Sequence, residues 1–311
     1  MEKPMVTIGI PTYNRADGFL KDTLESALEQ SYPHLEIIVS DNCSTDATED
    51  LIDNYDDQRL RYIRHDKNIG ANNNFNYCLN KAKGDYFLLL HSDDLIDKDF
   101  VQACMDQAEA GTNLGIIQTG VRVVNANGEK LHECQNRTGG LPAGEFFLAW
   151  FNDSVSWYFC NTLFNTRLLK GLGGLHSQHN LIQDNVAIVK LASKYDRGNV
   201  KSVKASFRKH LNQRTYAANI KDWCDDYLTL VELMCSAVDG DTRRLRDRAM
   251  RVLCKRNLNR ASVINSYTER LLAYLLVSRK FNFKYPLSTY LYENEFHRIM
   301  KKIGKGVQSK N

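Results

Sequence analysis

No stretch of this 311-residue chain approaches the ~20 consecutive apolar residues that a membrane-spanning helix requires. The greasiest segment near the end, Leu271 to Val277, is far shorter. Met1 to Met5 lacks the apolar run of a secretory leader, so a cytoplasmic location is the expectation. The eight cysteines (43, 78, 104, 134, 160, 224, 235 and 254) include no C-x-x-C pair. Dispersed in this way they read as reduced, mostly buried thiols rather than a disulfide or zinc framework. His176 and His179 form an H-x-x-H, but in a Gly-rich stretch without the helix and third ligand a zinc site needs. Internal repeats and low-complexity segments are missing as well. The formal net charge is only +4, too small to imply a polyanionic partner, and no nucleic-acid-binding module accompanies it.

What is present is a globular composition, 43% hydrophobic and 25% charged, with enough length for one large α/β domain and a smaller unit. Val6 to Ile10 is a short apolar, β-branched run that Pro11 closes. Leu20, Leu24, Ala27 and Leu28 recur at helical spacing, and Leu35 to Val39 predicts a second strand. Leu60 to Ile63 is a third strand, and Phe75, Leu79 and Ala82 mark a helix that Gly84 ends. Tyr86 to Leu90 is the most apolar run, as suits a central parallel strand buried on both faces. This β-α-β-α-β order implies a doubly wound, mostly parallel sheet with helices on both faces.

Beyond residue 100 the pattern loosens. Ile116 to Val124 reads as strand, Asn127-Gly128 as a hairpin turn, Leu181 to Tyr195 as helix and Val200 to Phe207 as strand. After Asp222 amphipathic helices take over, with a soft boundary near Ala218: an α/β domain over 1–218 and a helical, basic region over 219–311. Arg243, Arg244, Arg246, Arg248, Arg251, Lys255, Arg256 and Arg260 face only Asp247, above an apolar stripe of Leu245, Ala249, Val252 and Leu253. That helix is either a solvated face or a peripheral contact with anionic lipid head groups, to which Lys301, Lys302, Lys305 and Lys310 would add.

In doubly wound sheets ligands sit beyond the carboxyl ends of the strands. Four polar clusters fall there: Pro11 to Arg15, Asp41 to Asp46, Asn68 to Gly70, and Ser92 to Asp94. Each alone has a plain reading as turn or helix-cap residues. Together they gather adjacent carboxylates at one sheet edge, a natural site for a hard cation bridging to phosphate.

At these residues the sequence resembles the inverting family-2 glycosyltransferases of the GT-A fold, from about Val6 to His210. Val6 to Arg15 is similar to the opening strand and P-x-Y-N-R loop, and Ile37 to Asp46 to the strand before D-[DN]-x-S-x-D. Asn68-Ile69-Gly70 resembles N-x-G, Leu88 to Asp94 the strand into a D-x-D-type motif, Gln183-Asp184 the E-D element, and Arg208-x-His210 the R-x-H.

The resemblance implies transfer of a sugar from a nucleotide-diphosphate donor, most naturally a UDP-sugar, to a glycan or lipid-linked glycan acceptor in surface polysaccharide or glycolipid assembly. Pro11, Thr12, Tyr13, Arg15, Asn68, Gly70 and Arg208 would then bind donor, and Asp41 would accept the uracil N3–H. Asp93 would hold the ribose and, with Asp94 and His210, an Mn²⁺ or Mg²⁺ ion, while Asp184 would be the general base. His91 stands where the family often has Asp, and Gln183 where it has Glu. These departures motivate a second reading as an inactive nucleotide-sugar-binding scaffold. A sugar nucleotidyltransferase is a third; it wants a Gly-rich loop, and Ile8 to Pro11 offers one glycine. Trp157, Tyr158 and Phe159 suit the core better than a sugar-stacking platform, and 171–180 reads as a flexible loop over the acceptor.

Overall fold

The strand at the middle of the parallel half, β1 (Val6–Thr12), is buried at all seven positions. The computed structural model describes residues 3–108, 114–210 and 218–293. It divides into two compact units, Met1–Tyr216 and Ala217–Asn311. In the first, β1 pairs in parallel with β2 (Leu35–Asp41) on one side and β4 (Tyr86–Leu89) on the other, and β2 pairs with β3 (Leu60–Arg64). The chain steps outward from β1 to β3 and returns to β4 across β1, so the topological switch point lies between β1 and β4.

Alternation along β1 explains its two layers. Val6, Ile8 and Ile10 share a core with Leu20, Leu24 and Ala27 of α1 (Leu20–Leu28) and with Ile52 of α2 (Thr48–Asp53). Gly9 faces the opposite way, toward α3 (Ala71–Lys81). A Cβ at Gly9 would stand 2.8 Å from Cys78 Cβ and 2.9 Å from the Phe87 ring, so α3 can lie this close only over a glycine.

The sheet does not remain parallel. Among the described residues nine strands run in the order β3-β2-β1-β4-β8-β6-β9-β5, with β7 on β6. Here β5 is Leu95–Ile96, β6 Ile116–Val124, β7 Lys130–Cys134, β8 Thr162–Asn165 and β9 Arg197–Arg208. β8 is antiparallel to both β4 and β6, β5 is antiparallel to β9, and β9 is parallel to β6. The expected mostly parallel sheet is therefore the β3-β2-β1-β4 half of a mixed one. The hairpin at Asn127-Gly128, where Gly128 takes φ +81°, adds one more antiparallel pair as β7 returns along β6. α4 (Phe100–Met105), α6 (Thr166–Gly171) and α7 (Gln183–Ala192) complete this unit, together with α5 (Ala143–Phe151). α5 is AGEFFLAWF, with Phe146 through Phe151 all buried, and Trp150 stacks on Trp157 at 4.7 Å and 2°. Trp157 is thus core, as is the largely enclosed Phe159.

The second unit packs α8 (Ile220–Ser236), α9 (Arg243–Ala261) and α10 (Tyr267–Lys280) pairwise. Asn219 and Ser266 cap α8 and α10 by accepting from Lys221 N and Glu269 N. Leu245, Ala249 and Leu253 of α9 are buried, so this apolar stripe belongs to the helix packing and is not a lipid-facing surface. Lys301, Lys302, Lys305 and Lys310 lie outside the described residues.

Gly9→Ala should lower stability by about 1–3 kcal/mol, the usual cost of overpacking a closed core. A urea-unfolding midpoint that falls with unchanged slope would show it. An unchanged midpoint would mean that α3 does not rest on β1 as described.

Candidate active site

Three loops meet beyond β1, β2 and β3. Thr12 ends β1 almost fully buried, and its Oγ1 has no hydrogen-bond partner among the described residues. Pro11 is buried in the strand, Tyr13 is 45% exposed and Arg15 is half-buried. The turn is held by Asn14 at φ +50°, whose N–H donates to Ser44 Oγ at 2.8 Å and whose Oδ1 accepts from Thr45 N at 2.8 Å. Asp46 accepts from Ala16 N and from Thr48. Burial works to raise the Asp46 carboxyl, yet these donors hold it below its ordinary range.

Asp41 departs from its expected role. It is fully enclosed: Oδ1 accepts from Ser44 N at 2.9 Å and Ser44 Oγ at 2.5 Å, and Oδ2 accepts from Tyr62 OH at 2.7 Å. A base N–H has no exposed surface of Asp41 to meet, so the carboxylate builds the loop. Asn68 acts similarly, accepting from Asn42 Nδ2 at 2.8 Å and Gly70 N at 2.9 Å. Gly70 takes φ +82° at the entry to α3, the left-handed region a side chain rarely adopts.

The second cluster follows β4. Ligand atoms of His91, Asp93 and Asp94 all lie within 4.8 Å of one another. Asp93 Oδ2 is 2.8 Å from His210 Nε2, and the His210 ring rests against Phe19. The His91 ring packs between Phe75 at 5.0 Å and Phe159 at 5.3 Å. Asp94 is 1% exposed and its Oδ1 accepts from Arg208 N at 2.9 Å. Burial, then the charge of Asp93, push the Asp94 carboxyl well above the carboxylate range. Two carboxylates and two imidazoles at a topological switch point form a donor set suited to Mn²⁺ or Mg²⁺, ions that prefer oxygen and accept imidazole.

Arg208, expected among the donor contacts, is spent on protein. Nε donates to Asp93 O at 3.0 Å, one terminal nitrogen to Ala126 O at 3.2 Å, and the other reaches Asp22 Oδ2 at 3.3 Å. Its Cζ lies 4.2 Å over the Phe19 ring, and the residue is 4% exposed. It braces the loop after β4 against the first turn of α1.

Asp184 stands in the first turn of α7, and desolvation pushes its carboxyl up to about 7 against the N–H of Asn185, which donates to it at 2.8 Å. Part of the residue still reaches solvent. Gln183 Nε2 donates to Asn72 Oδ1 at 2.9 Å, which ties the start of α7 to α3. The preceding loop, expected to be flexible, is tied down as well. Asn76 exchanges hydrogen bonds with Leu175 N and O at 2.8 and 3.0 Å, and Gly174, at φ +84°, has no room for a Cβ beside Asn76 Oδ1. Asn72, Asn76, Phe19, Asp22 and Phe75 thus shape the site; of these the sequence singled out only Phe75, and that as a helix position. A visible signal was available: five asparagines in the eleven residues of α3 are poor helix formers.

Two expected outcomes follow from these placements. Arg208→Lys should destabilise the ligand-free protein by about 1–3 kcal/mol, since a lysine cannot replace the fork of bonds to Asp93 O and Ala126 O; a pure donor contact would leave the unliganded melting temperature unchanged. Asp184 keeps its proton to about pH 7 when folded, against 3.8 for an ordinary aspartate. The folded state therefore binds more protons between these values, and stability falls as pH rises through that window. Asp184→Asn removes this loss, so thermal melts at pH 5 and pH 8 should show the variant gaining on wild type at the higher pH. An equal offset at both would contradict the raised carboxyl.

Residues 7–171 match the family model described as glycosyl transferase family 2. A teichuronic acid biosynthesis glycosyltransferase of Bacillus subtilis is 41% identical over 99 residues, which cover 31% of this chain and 39% of that protein. The chain spans less than half the length of the curated relatives it matches. Among solved structures, S. aureus TarS 1–349 in complex with UDP-GlcNAc superposes with a TM-score of 0.65 at 16% identity, covering 91% of this chain and 82% of that one. The Pyrobaculum calidifontis mannosyltransferase PcManGT, in complex with GDP-Man and Mn²⁺, gives 0.54 at 20% identity over 97% and 89%. At such identities these likenesses establish the fold. With its family model covering the parallel half-sheet and the loops at its edge, the chain belongs to glycosyl transferase family 2, in a GT-A-type fold followed by a helical C-terminal region.

Proposed function

We propose that the chain is an inverting glycosyltransferase that moves a sugar from a nucleoside-diphosphate donor, a UDP-sugar first among them, to an acceptor hydroxyl. The observation that carries this reading is the cluster of His91, Asp93, Asp94 and His210 at the switch point, after the strand that neighbours β1, whose last residue Thr12 has a buried Oγ1 with no partner among the described residues. Relatives named for teichuronic acid, succinoglycan and chondroitin assembly support a polysaccharide setting. The acceptor in this proposal is a glycan or lipid-linked glycan, met at the inner face of a membrane.

Asp93 is the more exposed of the two carboxylates and shares its Oδ2 with His210. It is therefore the principal ligand for Mn²⁺ or Mg²⁺, with His91 and His210 beside it and Asp94 fixing the loop from below. Such an ion, when bound, neutralises the charge of a departing nucleoside diphosphate. Thr12 Oγ1, Tyr13 and Arg15 are left to receive the nucleoside, because Asp41 is committed to Ser44 and Tyr62. Asp184 accepts the proton of the acceptor hydroxyl as that oxygen attacks the anomeric carbon from the face opposite the diphosphate. A base whose pKa is about 7 combines a sizeable deprotonated fraction at neutral pH with real basicity. Retention of Asp184 in this state favours an active enzyme over an inactive scaffold.

The test is a thermal-shift panel of UDP, GDP, CDP and dTDP with and without Mn²⁺. A ligand at a hundred times its dissociation constant adds roughly 2.7 kcal/mol, which is easily seen. One nucleotide should raise the melting temperature only with metal, and Asp93→Ala should abolish the shift. Asp184→Asn should keep the shift while turnover falls about 10²–10⁴-fold. Absence of any nucleotide-dependent shift would sink the transferase reading, and full turnover in Asp184→Asn would remove that residue as the base.

A further inference from the structure

α10 has two apolar faces. One packs inward through Ala273 and Val277. The other points to solvent: Tyr267, Leu271 and Leu275 recur every four residues and are 71%, 44% and 51% exposed, with Leu272 beside them at 65%. Val263 just before the helix and Phe283 just after it are also exposed. A helix bordering water normally turns polar residues outward, and a contiguous exposed patch of leucines and aromatics marks a binding surface.

The charge of α9 and α10 selects the occupant of this face. Residues 218–293 carry thirteen Lys and Arg against nine Asp and Glu, and the surplus falls in 243–293, where Arg243, Arg246, Lys255, Lys280 and Lys284 are ion-paired with Asp241, Glu232, Glu293, Asp225 and Asp247. Exposed Arg279 lies in the last turn of α10 itself, and Arg244, Arg248 and Arg251 are exposed on α9. A second copy docking through the same face would bring this excess of positive charge against itself, as a two-fold interface requires. An anionic lipid surface would neutralise it. No described helix is long and apolar enough to cross a bilayer, so the geometry is that of a helix lying in the interface.

We propose that α10 docks the chain on anionic bilayers, with Leu271, Leu272 and Leu275 entering the boundary between head groups and acyl chains while the flanking arginines meet lipid phosphates. This rests on the second unit alone and stands independently of the transferase reading.

The full chain is sedimented with vesicles of phosphatidylcholine alone and of equimolar phosphatidylcholine and phosphatidylglycerol. Wild type should bind the anionic vesicles at least tenfold better, less so as salt rises. The triple variant Leu271→Ser, Leu272→Ser, Leu275→Ser should lose at least tenfold of that binding. Leu272→Trp, a milder change, should show blue-shifted fluorescence on anionic vesicles and quenching by brominated lipid. Equal sedimentation of wild type and triple variant together with an unresponsive Leu272→Trp overturns the proposal. So does a wild type that ignores both vesicles yet self-associates in analytical ultracentrifugation while the triple variant is monomeric, which would assign the face to a second copy.

Discussion

The interaction on which the site depends is the buried hydrogen bond from Arg208 N to Asp94 Oδ1. It joins the loop after β4 to the far end of β9, two segments 114 residues apart in the chain. The guanidinium of the same arginine returns to Asp93 O and covers Phe19, so backbone and side chain fasten one loop. Only with β9 held there does His210 reach Asp93. A carboxyl buried beside a second carboxylate is costly, and such a group is retained where it fixes geometry that an apolar pair would leave loose. Stability is exchanged here for the position of one loop.

The parallel half-sheet was legible because each strand is a short apolar run followed by a polar turn, the simplest pattern a sequence can carry. Thr12 and Asp93 were legible as members of strand-end clusters for the same reason, and His210 through the resemblance of Arg208-x-His210 to R-x-H. The second half was harder to read. α5 is apolar all round, so it has no helical period to detect, and β5 is two residues long. Motifs also name residues without saying which way their atoms point. Asp41 and Arg208 occupy their family positions, yet the first is enclosed by Ser44 and Tyr62 and the second by Asp93 O, Ala126 O and Asp22. Side-chain direction is decided by partners distant in the chain, and no local pattern encodes those.

α3 shows what such partners cost. Asparagines are weak helix formers, and this helix carries five of them in eleven residues. Asn74 bonds Ser40 O at 2.8 Å, Asn72 bonds Gln183, and Asn76 bonds the strand of loop before it. Local helix propensity is given up for tertiary bonds on several sides of one element. Burial against β1, over Gly9, supplies the compensation.

One consequence of that helix concerns motion. Its first turn is joined to the Asn68–Gly70 loop, where Asn73 Nδ2 donates to Ile69 O, and to Gln183, so that loop and the carboxyl of Asp184 ride on a single strut. A small rotation of α3 would displace both in concert, like two points on one lever. Drift in the spacing between that loop and the Asp184 carboxyl is thereby suppressed, and any perturbation of this helix would shift both together.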